Sequence, residues 1–186
     1  MSDWSPDGRY LIYTQTSLKT RMDLWVLPLE GERKPAPFLD TEFLETQGQF
    51  SPDGHWIVYA SDESGMWEVY VRPFPAAPGK WKISIGGGQH PRWRRDGMEL
   101  FYLGPGQKLT AVAVKAAVSV ARPVFEVAAP QPLFDTRIPS LPPGFVRYHY
   151  TVAADGKRFL VNTAGSEIAE APLTLVLNWR AAKRGD

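Results

Sequence analysis

The sequence predicts an all-β chain made of β-propeller blades, about four of them, each of four antiparallel strands. Three observations predict it: a turn motif that recurs four times, a spacing between copies that suits one blade, and the lack of any long stretch with helical periodicity. The motif opens as Trp4-Ser5-Pro6-Asp7-Gly8 and continues Arg9-Tyr10-Leu11-Ile12-Tyr13. It returns as Phe50-Ser51-Pro52-Asp53-Gly54 followed by His55-Trp56-Ile57-Val58-Tyr59. Weaker copies are Trp93-Arg94-Arg95-Asp96-Gly97 before Met98-Glu99-Leu100-Phe101-Tyr102, and Val152-Ala153-Ala154-Asp155-Gly156 before Lys157-Arg158-Phe159-Leu160-Val161. Successive aspartates lie 46, 43 and 59 residues apart. The first two intervals match the ~40–45 residues of a four-stranded blade. The third is stretched by a segment rich in Pro and Ala between Ala116 and Gly144.

Each copy carries the same physical grammar. Ser-Pro-Asp-Gly suits a type I turn, with Pro presetting φ at the second position and Gly at the fourth. The aspartate can accept bonds from nearby backbone N–H groups and lock the turn. Asp7, Gly8, Asp53, Gly54, Asp96, Gly97, Asp155 and Gly156 are therefore expected to be structural. An apolar residue before the turn ends strand A, and a β-rich run after it forms strand B. Strand C follows at Asp23–Leu27, Glu68–Val71, Leu109–Val114 and Leu173–Leu177. An outer strand D is expected near Ala36–Leu39, Lys80–Ile85 and Gln131–Phe134. One domain over residues 1–186 results, with blades at approximately 1–42, 43–86, 87–137 and 145–180. The 17 prolines and 16 glycines punctuate the chain often enough to agree with short strands.

Strand bookkeeping predicts an incomplete ring, the C-terminal part of a larger propeller. Only three residues precede Trp4, and Arg180 to Asp186 are too short and polar for a good last strand. Open flanks carrying Tyr13, Trp25 and Trp179 would then favour self-association through blade faces. A closed four-bladed ring is the alternative.

Composition excludes several function classes. No cysteine is present, so disulfides, thiolate metal sites and cysteine nucleophiles are ruled out. A net charge of +1 predicts neither nucleic acid nor an acidic membrane surface as partner. No nucleophile elbow, phosphate loop or kinase catalytic loop occurs, and Gly86-Gly87-Gly88 lacks the Lys and Ser/Thr of a phosphate loop. That run reads as a flexible connection between blades. No catalytic residue, metal site or cofactor is predicted.

Aligning the copies on the turn aspartate brings out a binding candidate. Six positions before it stand Gln47, His90 and His149, and four before it Gln49, Arg92 and Thr151. Strand A starts at the face where D–A and B–C loops gather, so these residues should converge at the channel mouth. Two histidines with Gln and Arg could contact an anion, a metal or a peptide carboxylate, or simply be hydrated channel lining. The B–C loop from Ser61 to Trp67 adds Asp62 and Trp67 at the same face, suited to protein contact. Trp67 could equally pack inward at the start of strand C.

With its aromatic-Ser-Pro-Asp-Gly signature, the chain resembles the TolB-like, WD40-like bacterial propeller repeats. The match is specific at Trp4 and Phe50, partial at Trp93 and weak at Val152. Leu133-Phe134-Asp135-Thr136 and Pro172-Leu173-Thr174-Leu175-Val176-Leu177-Asn178-Trp179 are similar to the tail of bacterial propellers that follow a serine/threonine-kinase domain and a membrane helix. The same tail also occurs without a kinase. The resemblance implies a periplasmic or extracytoplasmic sensor or interaction module and transfers no catalytic residue. The leading expectation is a non-catalytic module that binds a protein or small ligand, without nucleic acid or membrane contact by this segment. An accessory propeller of an enzyme such as a membrane kinase is the alternative, and direct catalysis on the propeller face a third.

Overall fold

A computed structural model describes residues 2–118, 123–138, 148–163 and 174–176. Four antiparallel sheets follow one another along the chain. The first contains β1 (Asp3–Trp4), β2 (Tyr10–Ser17), β3 (Arg21–Pro28) and β4 (Ala36–Leu39). The second contains β5 (Glu45–Phe50), β6 (Trp56–Ser61), β7 (Glu68–Pro73) and β8 (Trp81–Lys82). In the third, β9 (Gln89–Trp93), β10 (Glu99–Leu103) and β11 (Lys108–Val118) are joined by β12 (Pro123–Val127) and β13 (Gln131–Asp135). The fourth has β14 (Tyr150–Val152), β15 (Phe159–Val161) and β16 (Thr174–Val176). Trp179 and the tail motif beyond Val176 lie outside the described residues.

The repeated turns form as their chemistry dictates. In every copy the glycine N–H donates to the carbonyl three residues back, from Gly8 to Ser5, Gly54 to Ser51, Gly97 to Arg94 and Gly156 to Ala153. The four glycines have φ of 74°, 74°, 73° and 67°, a left-handed conformation that a type I turn with a bulge requires. Each aspartate accepts the N–H two residues on, at 2.9–3.1 Å. Ser5 and Ser51 also donate their hydroxyls to Asp7 and Asp53. Where serine is missing, a guanidinium takes over: Arg94 holds Asp96 at 2.8 Å and Arg158 holds Asp155 at 3.1 Å.

Period-two alternation then splits each blade between its two neighbours. On β6, Ile57 and Tyr59 pack with Ile12 and Leu24 of the first blade. Its other face sends Trp56 and Val58 against Trp93, Leu100 and Val112 of the third blade. On β10, Phe101 and Leu103 pack with Tyr150 and Phe159 of the fourth. The cores thus lie between sheets, and neighbouring blades share them.

Two expectations need correction. Strand C of the third blade does not stop at Val114. It runs on to Val118 and doubles back as β12, pairing Val114 with Val127 and Val118 with Pro123. The Pro- and Ala-rich segment thereby supplies a fifth strand, and buried Phe125 packs against Trp56, Trp81 and Trp93. β13 still pairs with the first half of β11, as a strand D should. Second, the aromatics, of which seven are tryptophans, are expected to fill the gaps between blades, but Trp4 is 53% exposed, because the described chain offers it no neighbouring blade.

Candidate functional site

The start of strand A is bent in the same way in the second and third blades. Gln47 and His90 both have left-handed backbones, with φ of 58° and 55°. Each sits in a bulge where two residues of strand A oppose one of strand B: Gln47 and Gly48 face Tyr59, and His90 and Pro91 face Tyr102. Gly48 completes the second-blade bulge, where an added Cβ would come within 2.6 Å of Ile12. A non-glycine residue at positive φ costs free energy that the surroundings must supply. Here a clasp supplies it. The Gln47 Oε1 accepts the His90 N–H at 2.6 Å, and its Nε2 donates to His90 Nδ1 across 3.1 Å. This pairing assigns the imidazole proton to Nε2. The Tyr150 hydroxyl donates to the His90 carbonyl at 2.7 Å and brings in the fourth blade.

Burial, with help from the charges of His149 and Arg92, lowers the His90 pKa to about 4. The ring is neutral at pH 7. The His149 ring stands edge-on to it, with centroids 5.4 Å apart.

Above this pair opens a recess of about 380 Å³. Its walls are the B–C loop of the second blade (Met66, Trp67), the connection Gly86–Gly88, and the B–C loop of the third (Gly104–Gln107). Gln89, His90, His149, Leu103 and Ile138 complete the lining. The glycine connection is held by defined bonds: Gly87 N–H donates to the Glu68 carboxylate at 3.1 Å and Gly88 N–H to the Trp67 carbonyl at 2.8 Å. Left-handed backbone recurs at Gly86, Gly87, His90, Gly106 and Gln107, all on this wall.

Of the predicted residues, the structure brings His90, His149 and Trp67 together at the recess. Gln47 stands behind it as the clasp. Gln49 and Arg92 lie farther along the inner strands. Gln49 accepts the Trp93 N–H at 3.1 Å, and Arg92 stacks 3.4 Å from the centre of the Tyr148 ring. Asp62 is not part of the recess lining and accepts the Leu44 N–H at 2.8 Å.

The inner strands reveal a role that sequence reading missed. Asp3 is the first copy's residue four before the turn aspartate, and it accepts the Phe50 N–H at 2.9 Å. Gln49 repeats that bond to the next blade. Arg92 cannot, because a guanidinium has no acceptor. Also missed were Tyr148 and the Pro105–Gln107 loop, which belong to no repeated motif. No group of three or more His, Cys, Asp or Glu side chains suited to a metal stands together among the described residues.

Sheets that share their cores side by side, with B–C and D–A loops collected at one face, define a β-propeller. Two solved structures agree. The chain is similar to TolB from Acinetobacter baumannii, with a TM-score of 0.60 and 14% identity over 88% of this chain and 37% of that one. A protein described as a TolB, from Agrobacterium tumefaciens, gives 0.52 and 15% over 72% of this chain and 51% of that one. Periplasmic gluconolactonase from Pseudomonas aeruginosa gives 0.49 and 19% over 85% and 48%. The chain therefore spans between about a third and a half of the lengths of the structures it matches. No protein-family model and no curated protein sequence matches it.

Proposed function

We propose that the chain is a non-catalytic binding module whose contact site is the recess between the second and third blades. One observation carries the reading: three loops converge on a single cavity, and two non-glycine residues on its wall, His90 and Gln107, hold left-handed backbone. Such backbone is costly and tends to gather where a surface is shaped for contact. The lining mixes apolar groups (Met66, Trp67, Leu103, Pro105, Ile138) with a few polar ones (Gln89, Gln107, His149), as binding sites do. Met66 and Ile85, 50% and 70% exposed, extend the apolar surface on this face. A protein segment that buries an apolar side chain suits this surface. Binding rather than catalysis is favoured because His90, with its Nδ1 committed to Gln47 and its pKa about 4, is a poor proton acceptor at neutral pH.

Two methionines provide the test. Met66 lies on the recess, whereas Met98, 59% exposed, follows the A–B turn of the third blade. A photo-crosslinking residue at position 66 should capture a discrete partner in the producing cell, and one at position 98 should not. Trp67→Ala and His149→Ala should each weaken the adduct. Equal capture from both positions, or none from position 66, would contradict the proposal.

A further inference from the structure

Neighbouring blades meet through two unlike faces, and the described chain leaves one of each uncovered. The face turned toward the preceding blade carries the aromatic before the turn and the residues four and six beyond the turn aspartate. In the second and third blades these are Phe50, Ile57 and Tyr59, then Trp93, Leu100 and Tyr102, all at most 7% exposed. The first blade presents the same set as Trp4, Leu11 and Tyr13. Trp4 is 53% exposed, and Leu11 and Tyr13 are half-buried. Strand pairing sets Leu11 between Trp4 and Leu27, and Tyr13 beside Trp25, so the five share one surface.

The opposite face, turned toward the following blade, carries the residue five beyond the aspartate. Ile12, Val58 and Phe101 pack there on the next blade and are at most 1% exposed. Leu160 holds that place in the fourth blade and is 41% exposed, paired across the strands with exposed Thr151. Thr151 continues the series of Asp3 and Gln49, which accept an N–H from the blade that follows. Within one chain the fourth blade does not cover the first. The Tyr148 hydroxyl reaches the Ser2 carbonyl at 3.4 Å and leaves both faces open.

We propose that a second copy of this chain covers them: the fourth-blade face with Leu160 and Thr151 packs on the first-blade face with Trp4, Leu11, Tyr13 and Trp25 of the next copy. The three junctions of the chain argue for this occupant. In each, a face of the first kind is covered by a face of the second kind, so a chain with one spare of each complements a copy of itself. The outer faces of terminal repeats need to be polar to stay in solution, whereas a surface of Trp4, Leu11, Tyr13 and Trp25 is one built for contact. Because the two faces differ, the join is head to tail rather than two-fold. The Thr151 hydroxyl can accept an N–H from the first blade of the next copy, as Asp3 and Gln49 do within the chain. This surface stands apart from the recess and does not depend on it.

The test is the solution mass of the whole chain, read by light scattering at about 100 μM, above the micromolar limit of interfaces of ordinary size. Wild type should have twice 20.8 kDa or more. Trp4→Lys puts a charge on one face and Leu160→Lys on the other. Each should return the mass to 20.8 kDa, because the join would bury an unpaired charge. Both positions are about half exposed in the single chain, so both variants should melt like wild type diluted until it is monomeric. Mixed in equal amounts, the two variants should form a pair of twice 20.8 kDa, since each keeps the face that the other has lost. A monomeric wild type, an unchanged mass in either variant, or a mixture that stays monomeric would overturn the proposal.

Discussion

The first two blades start from nearly identical motifs and end in different environments. Their turns share the glycine φ of 74°, the serine-to-aspartate bond and the same backbone closure. Their strands diverge. Every residue of β6 is buried, whereas β2 buries only Ile12. The aromatic before the turn is 53% exposed as Trp4 and 3% exposed as Phe50. Local sequence therefore specifies the hairpin, and a neighbour on each side supplies most of the burial. Stability in such a molecule is a sum over junctions, as in other repeat architectures.

The largest expected break in that comparison is at the aromatic. Phe50→Ala should cost about 3–5 kcal/mol, while Trp4→Ala should cost less than about 1 kcal/mol. Denaturant titration of the two variants measures the difference directly.

The next effect tests the clasp between the second and third blades. His90 has a folded pKa of about 4, below the unfolded value near 6.5, so its contribution is fully present above pH 6.5. It is lost as pH falls from 6.5 toward 4, because the unfolded chain takes the proton first. The full loss is about 3 kcal/mol. Replacement with asparagine, which tolerates the left-handed backbone, should remove this acid sensitivity when stability is followed against pH.

Smaller, and deliberately equal, are the turn variants. Gly8→Ala and Gly54→Ala each force an L side chain into the same positive φ, while the space around an added Cβ is open or in ordinary contact. Each should cost about 1–2 kcal/mol. A much greater loss in the second blade would show that its turn is not a local unit.

The smallest effect is a gain. Asp3 and Gln49 each accept an N–H from the following blade, but Arg92 breaks the series. Arg92→Gln restores an acceptor worth about 1 kcal/mol but gives up part of the stack on Tyr148, so the third junction should gain less than about 1 kcal/mol, read as a small rise in denaturation midpoint.

How much of this was legible follows from the range of each signal. The blade fold was, because turn and strand chemistry is local and repeats. The convergence of His90, His149 and Trp67 was partly legible, since repeat alignment plus propeller geometry places strand starts and B–C loops at one face. Asp3 could have been found by extending the same alignment one copy upstream. The bond from the Leu44 N–H to the Asp62 carboxylate was not legible, because it joins two segments that no repeated motif pairs. β12 left no readable mark, since its role depends on Phe125 meeting three tryptophans from distant sequence.

The most direct test of the binding recess is hydrogen exchange on the chain with and without the partner captured through position 66. Binding at the recess predicts slowed exchange at residues 86–90 and 104–107, with residues 94–98 at the opposite turn unchanged. Protection confined to the turn face, or no protection at 86–90 and 104–107, would contradict it.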